Sequence, residues 1–191
     1  THPTERTGRD YVDTVLVAEE LAGALPAAEI AAWRKTLVGL RMDVYLVRAV
    51  VEGMRYDTPR IVVPTGKPFE IIFENPDVMP HNLVVVEPGA RERIGTAAMT
   101  LAPDYVDRNG RAWVPASREI IAATKLLEPG QSETIRIPSL REEGIYEYVC
   151  TFPGHWTVMY GQLVVTKDVE GYLKKNPDTA PAKTATAHGG H

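Results

Sequence analysis

The ten residues Cys150-Thr151-Phe152-Pro153-Gly154-His155-Trp156-Thr157-Val158-Met159 constrain this chain more than any other stretch. They hold its only cysteine, one of its five histidines and one of its five methionines. A lone cysteine is ordinarily a small buried apolar residue, but its neighbours here argue otherwise. A thiolate, an imidazole and a thioether on one short loop are all metal donors. A fourth donor has to come from elsewhere in the chain, and His81 in Met79-Pro80-His81-Asn82 is the obvious one.

The sequence around the loop reads as strands. Gly144 to Cys150 and Tyr160 to Thr166 bracket it, each short, aromatic or β-branched and free of breakers. Upstream, Met42 to Glu52, Arg60 to Val63, Pro68 to Glu74 and His81 to Val86 have the same character, as do Glu119 to Thr124 and Glu133 to Ile137. Turn signals separate them at Pro64-Thr65-Gly66, Asn75-Pro76-Asp77, Glu87-Pro88-Gly89 and Glu128-Pro129-Gly130. Arg91 to about Leu101 instead carries helix formers. About eight strands with one helical insertion predict a mainly β fold, a Greek-key β-sandwich or barrel over residues 41–167.

The two ends differ from this. Residues 10–40 turn helical in pattern, interrupted at Pro26 and stopped near Gly39, and predict an N-terminal helical extension over 1–40. It is read either as a cap on the domain that follows or as a connector from an upstream one. A short helix fits after Lys167, through Leu173. Residues 168–191 are otherwise read as a flexible tail or linker, since from Pro177 the chain is rich in Ala, Thr, Pro, Lys and Gly. His188 and His191 lie in that tail and are not expected to form a specific site.

Composition removes several function classes. A net charge of −4 gives no support for nucleic-acid binding. No apolar run approaches the roughly 18 residues of a membrane-spanning helix. One cysteine excludes an internal disulfide, an all-thiolate zinc site, an iron–sulfur cluster held by this chain alone, and a binuclear copper centre with two bridging thiolates. Thr1 to Arg6 is not a signal peptide, and the chain is read as a mature product or a segment of a longer protein.

Thiolate and thioether donors are soft, and two His with one Cys and a distant Met is the arrangement of a blue-copper electron-transfer site. Pro153 and Gly154 bend the loop so that His155 returns toward the sulfur. A β-frame supplying the donors limits rearrangement when the metal changes oxidation state.

Cys-Thr-Phe-Pro-Gly-His, three residues and Met resembles the copper loop of the azurins, in the cupredoxin family of type 1 blue copper proteins. The resemblance covers about Arg41 to Thr166. It includes Asn75-Pro76-Asp77-Val78-Met79-Pro80-His81-Asn82, Ile120 to Leu127, Gly130 to Glu133 and Tyr146 to Cys150. Gly53 to Thr58 resembles that family's first strand. The auracyanins share the fold and ligand set. The resemblance implies one type 1 copper, with His81, Cys150 and His155 as strong ligands and Met159 as a weak axial one. Azurins add a backbone carbonyl from a glycine before the first His; Pro80 stands there in this chain. Asn82 is expected to tie the two ligand segments together near Thr151, and Phe152 and Pro153 to shield the site. His155 is expected nearest the surface, in an apolar patch with Trp156, Met79, Pro80 and Met54. Trp156 either meets a redox partner there or packs on the helical insertion. Azurins pin their first strand with a disulfide, and the 10–40 segment is expected to take over that anchoring.

The expected function is one-electron transfer, by this chain alone or as a carrier domain of a larger redox protein. Its partner would be a c-type cytochrome, an oxidase, a dehydrogenase or a photosynthetic complex. It would work in the periplasm or another extracytoplasmic place, free or tethered. The alternative is a cupredoxin module of a multidomain copper oxidoreductase. That chemistry needs a second copper with further histidines, and only His2, His188 and His191 remain. Copper storage would favour open Met- and His-rich sites, and a purely structural module would not need the full ligand set.

Overall fold

Two β-sheets form because the apolar residues of this chain repeat at the period of a strand. The computed structural model describes residues 43–177. The expected helical extension over 1–40 and the tail from 178 onward lie outside the described residues.

The strands are β1 (Val44–Arg48), β2 (Arg60–Pro64), β3 (Phe69–Glu74), β4 (Val84–Val86), β5 (Ile120–Ala123), β6 (Ser132–Ile137), β7 (Gly144–Val149) and β8 (Tyr160–Thr166). One sheet has the order β1-β3-β6 and the other β2-β8-β7-β4-β5. The pairs β1–β3 and β2–β8 run parallel and the others antiparallel. The eight expected strands are all present, and the mainly β fold is as expected.

The first strand is shorter than its β-branched residues suggest. It ends at Arg48, and Val50 to Arg55 form a turn closed by the Val50 N–H donating to the Arg55 carbonyl (2.9 Å). Glu52 and Met54 adopt left-handed backbone there, with φ of 54° and 41°. The Gly53–Thr58 segment is therefore a turn and return with one isolated bridge, Ala49 to Tyr56, and not a first strand.

Parity along the five-stranded sheet explains its two cores. In β4, Val85 joins the main core between the sheets, while Val84 and Val86 face a second, smaller core. In β7, Tyr146 and Tyr148 point into the main core, and the same period carries Cys150 there; Val149 points to the other. The second core is roofed by helix α1 (Arg91–Met99), which contributes Ile94 and lies beside Ala90. A sheet covered on both faces needs a continuous apolar run, which Val84-Val85-Val86 provides. Helix α2 (Val169–Lys175) follows β8, capped by Asp168, whose carboxylate accepts from the Gly171 N–H (2.9 Å).

Gly95 of α1 lies against the ring base of Trp156, where a methyl group would overlap Cβ and Cγ of the indole. Alanine gains about 1 kcal/mol over glycine in helix propensity. Overpacking against an immovable ring costs about 1–3 kcal/mol, so the clash should win. Gly95→Ala is expected to lower the urea midpoint; an unchanged or higher midpoint would show that α1 and Trp156 can separate freely.

Candidate metal centre

The β4–β7 register brings the donors to one end of the sheets. Val84 pairs with Val149, so His81 and Cys150 fall just beyond the last paired residues on neighbouring strands. The Cys150 loop is closed at its base by the sheet: the Cys150 N–H donates to the Met159 carbonyl (3.0 Å). Gly154 adopts φ 85°, a conformation that a residue with a Cβ avoids. A single 3-10 turn, His155–Thr157, follows, and the His155 carbonyl accepts from the Met159 N–H (2.8 Å). This returns the His155 ring to the sulfur, with Nδ1 3.6 Å from Cys150 Sγ.

His81 arrives from the other side, its Nδ1 3.8 Å from the same sulfur. The backbone around it is tied down. His81 and Leu127 exchange both backbone hydrogen bonds, and buried Asn75 donates from Nδ2 to the Met79 and Leu127 carbonyls, each at 2.8 Å. The donor atoms of His81, Cys150 and His155 all lie within 4.8 Å of one another. All three side chains are enclosed, at 0%, 0% and 2% exposure. His155 is thus the nearest of the three to the surface, but it is itself buried.

Asn82 hydrogen-bonds Thr151 through both ends of its amide. Its Oδ1 accepts from the Thr151 N–H and its Nδ2 donates to Thr151 Oγ1, both at 2.8 Å, so the segments carrying His81 and Cys150 are joined side chain to backbone. The Thr151 hydroxyl in turn donates to the Trp113 carbonyl (2.6 Å). The Phe152 ring packs on His155 with centroids 4.9 Å apart, and Trp113 packs on Phe152 at 6.1 Å. Met159 is fully buried in the main core at the base of the loop. Pro80 is half-buried between Met79 and His81. Trp156 goes to the second core: it lies on Gly95, and its indole N–H donates to Met99 Sδ (3.2 Å). Met54 and Met79 are partly exposed, and Val78 is 68% exposed.

Two residues at the site were not found by sequence reasoning. Asp77, assigned only to a turn, places Oδ2 2.8 Å from His81 Nε2 inside the protein. Its spacing four residues before His81 was the available signal. Trp113 holds φ 60°, uncommon for a bulky residue, and nothing local marks it.

The electrostatics suit a metal. Burial pushes the Cys150 thiol up to about 12, opposed by backbone hydrogen bonds from Asn82 and Phe152 that favour a thiolate. Burial, reinforced by His81, holds the His155 imidazole below its ordinary range, against the pull of Asp77. His155 is therefore the neutral, ligating form at neutral pH. Typical metal–sulfur and metal–nitrogen bonds of about 2.3 and 2.0 Å span at most about 4.3 Å. The observed 3.6 and 3.8 Å are within reach of one ion. Two imidazoles and one thiolate in an enclosed site match a type 1 copper donor set.

Comparison with known proteins agrees. Residues 44–166 match the profile of copper binding proteins of the plastocyanin/azurin family. Auracyanin-A of Chloroflexus aurantiacus is 31% identical over 118 residues, covering 60% of this chain and 68% of that protein. Azurin of Alcaligenes faecalis is 29% identical over 122 residues, covering 59% of this chain and 90% of azurin. The structure of dithionite-reduced auracyanin from Roseiflexus castenholzii superposes with a TM-score of 0.56 at 31% identity, covering 64% of this chain and 95% of the other.

The thiol shift has a consequence for the metal-free protein. An unfolded cysteine titrates near about 8.5, so the folded state, at about 12, holds the proton more tightly. This stabilisation is complete below about pH 8.5, drains away as pH rises, and is gone above about 12. The slope approaches about 1.4 kcal/mol per pH unit between those values. Tyr56 and Tyr148, also raised by burial, act in the same direction. Urea midpoints of the metal-free protein should fall between pH 9 and 11, and less steeply in Cys150→Ser. Equal slopes would mean the thiol is not enclosed.

Proposed function

This chain belongs to the plastocyanin/azurin family of copper-binding proteins, and on that premise we propose that it carries single electrons through one type 1 copper held by His81, Cys150, His155 and Met159. The buried His81–Cys150–His155 cluster carries this reading. When bound, copper supplies a one-electron couple between Cu(II) and Cu(I). The chain's contribution is to keep the donors still. Cys150 and His81 sit at the ends of paired strands, and Asn82 links them through Thr151. Phe152 packs on the His155 ring and Trp113 packs on Phe152. Little has to move when the charge at the site changes, which keeps the barrier to transfer low.

In this reading Met159 would be a weaker sulfur donor beside the three strong ones, and Pro80 would offer its backbone carbonyl as a further donor. Electrons enter and leave past the edge of His155. The partly exposed Met54, Val78 and Met79 offer a small apolar surface for a transient redox partner, such as a c-type cytochrome, an oxidase or a dehydrogenase. The protein is then a carrier and not an enzyme, working in an extracytoplasmic compartment, free or tethered. The alternative, a cupredoxin module of a multidomain copper oxidoreductase, would need a second copper with further histidine ligands.

Addition of Cu(II) should give an intense thiolate-to-copper band toward the red end of the visible spectrum that bleaches on reduction. Cys150→Ser should abolish the band, and His155→Gly should open the site to added imidazole. A wild-type protein with only weak copper absorption would remove Cys150 from the ligand set and electron transfer with it. An unchanged spectrum in His81→Ala would send the search for the second histidine to the chain ends.

A further inference from the structure

Asp77 is a buried carboxylate behind the donor cluster, 2% exposed. Its two oxygens have separate tasks. Oδ1 accepts two backbone N–H groups, from Glu52 at 2.9 Å and Val78 at 2.8 Å. Oδ2 faces His81 Nε2 at 2.8 Å. The first task is that of an ordinary turn residue, which an asparagine would perform equally well. The second is not, because only an acceptor there suits an imidazole N–H. Two backbone N–H groups and one imidazole nitrogen converge on this single carboxyl, which is the hydrogen-bonding environment of an anion. An anion therefore receives the proton of His81 Nε2. Nδ1 is left bare on the side that faces Cys150 Sγ.

We propose that Asp77 is a positioning residue for the metal centre: it fixes His81 as the Nε2–H tautomer with Nδ1 free to ligate, and its buried negative charge lowers the reduction potential of the bound metal. The proposal rests on the electron-carrier reading for its second half and on the metal-free protein for its first. A carboxylate hydrogen-bonded to a ligating histidine fixes tautomer and ring orientation and makes the ring a stronger donor. A nearby negative charge stabilises the more positive oxidation state of a metal. The turn at Val50 to Arg55, with its left-handed Glu52 and Met54, brings the Glu52 N–H to this carboxylate.

Asp77→Asn separates these roles. Two backbone donors face Oδ1, so the amide oxygen belongs there, and the NH2 group is turned to His81. A ring facing a donor has to present a lone pair at Nε2, so its proton moves to Nδ1, the wrong tautomer for binding.

Long-range proton–nitrogen NMR of the metal-free protein reads the tautomer directly. The expected result is an Nε2–H His81 in the wild type and an Nδ1–H His81 in Asp77→Asn. After copper loading, the variant should lose about tenfold to 100-fold in Cu(II) affinity relative to Cu(I). At 59 mV per tenfold for one electron, its midpoint potential should lie about 60–120 mV above that of the wild type. A purely structural role would lower the urea midpoint and leave the potential in place. An Nδ1–H His81 in the wild type overturns the tautomer half, and an unchanged potential in the variant overturns the charge half. If Asp77→Asn does not fold, the wild-type spectrum decides the first half and Asp77→Ser, which also lacks the charge, decides the second. A wild type that binds copper without a thiolate band defeats the electron-carrier reading, while the tautomer result still stands or falls by itself.

Discussion

The pairing of β4 with β7, extended by Asn82 and Thr151, is the constraint on which the rest of the site depends. The two strands leave their ladder at the same level, and the Asn82 side chain then bonds both the backbone and the hydroxyl of Thr151. This fixes the distance between His81 and Cys150, which are 69 positions apart in the chain. The hydroxyl of Thr151 passes the constraint to the Trp113 carbonyl. Buried polar side chains are costly unless satisfied, and Asn82 is satisfied by partners on the other ligand segment. Stability and ligand geometry are therefore served by the same hydrogen bonds.

The second core explains a feature a plain sandwich lacks. Because α1 covers the outer face of the five-stranded sheet, the loop that carries His155 is braced from outside as well as from within. Trp156 reaches Gly95 and Met99 of that helix, and Arg91 stacks on the Tyr160 ring at 3.6 Å while pairing with Glu147 at 2.9 Å. The residue after a ligand is thus bound to one core while the ligand faces the other. Successive residues diverging into two packed layers leave the loop little freedom to swing. Trp156 is accounted for by this packing.

Much of the site was legible because it is local. The Cys150–Met159 segment holds three expected ligands within ten residues, and its Pro153-Gly154 bend can be read from side-chain chemistry alone. His81 was legible from the Asn75–Asn82 motif. The strands were legible wherever apolar periodicity agreed with turn residues at both ends. The failures have a common cause. Val50 and Val51 look like strand, yet the chain turns there, in a loop where the Glu52 N–H reaches Asp77, 25 positions away. Asp77 looks like a turn residue because half of its carboxylate is one. Trp113 has neither the glycine nor the asparagine that usually marks left-handed backbone. In each case a contact distant in sequence overrides the local preference.

The closure of the ligand loop by the sheet has an engineering consequence. Val149 faces Tyr160 in the β7–β8 ladder, and the hydrogen bond from the Cys150 N–H to the Met159 carbonyl adds one more rung. Everything between those rungs hangs from a finished hairpin. Within that segment Thr151 is tied to Asn82 and Trp113, and Trp156 to α1, so the stretch open to a change of length without disturbing these ties is the Phe152-Pro153-Gly154 bend. Two donor spacings are then separate design variables: His81 to Cys150 is held by the sheet and Asn82, and Cys150 to His155 by a three-residue bend.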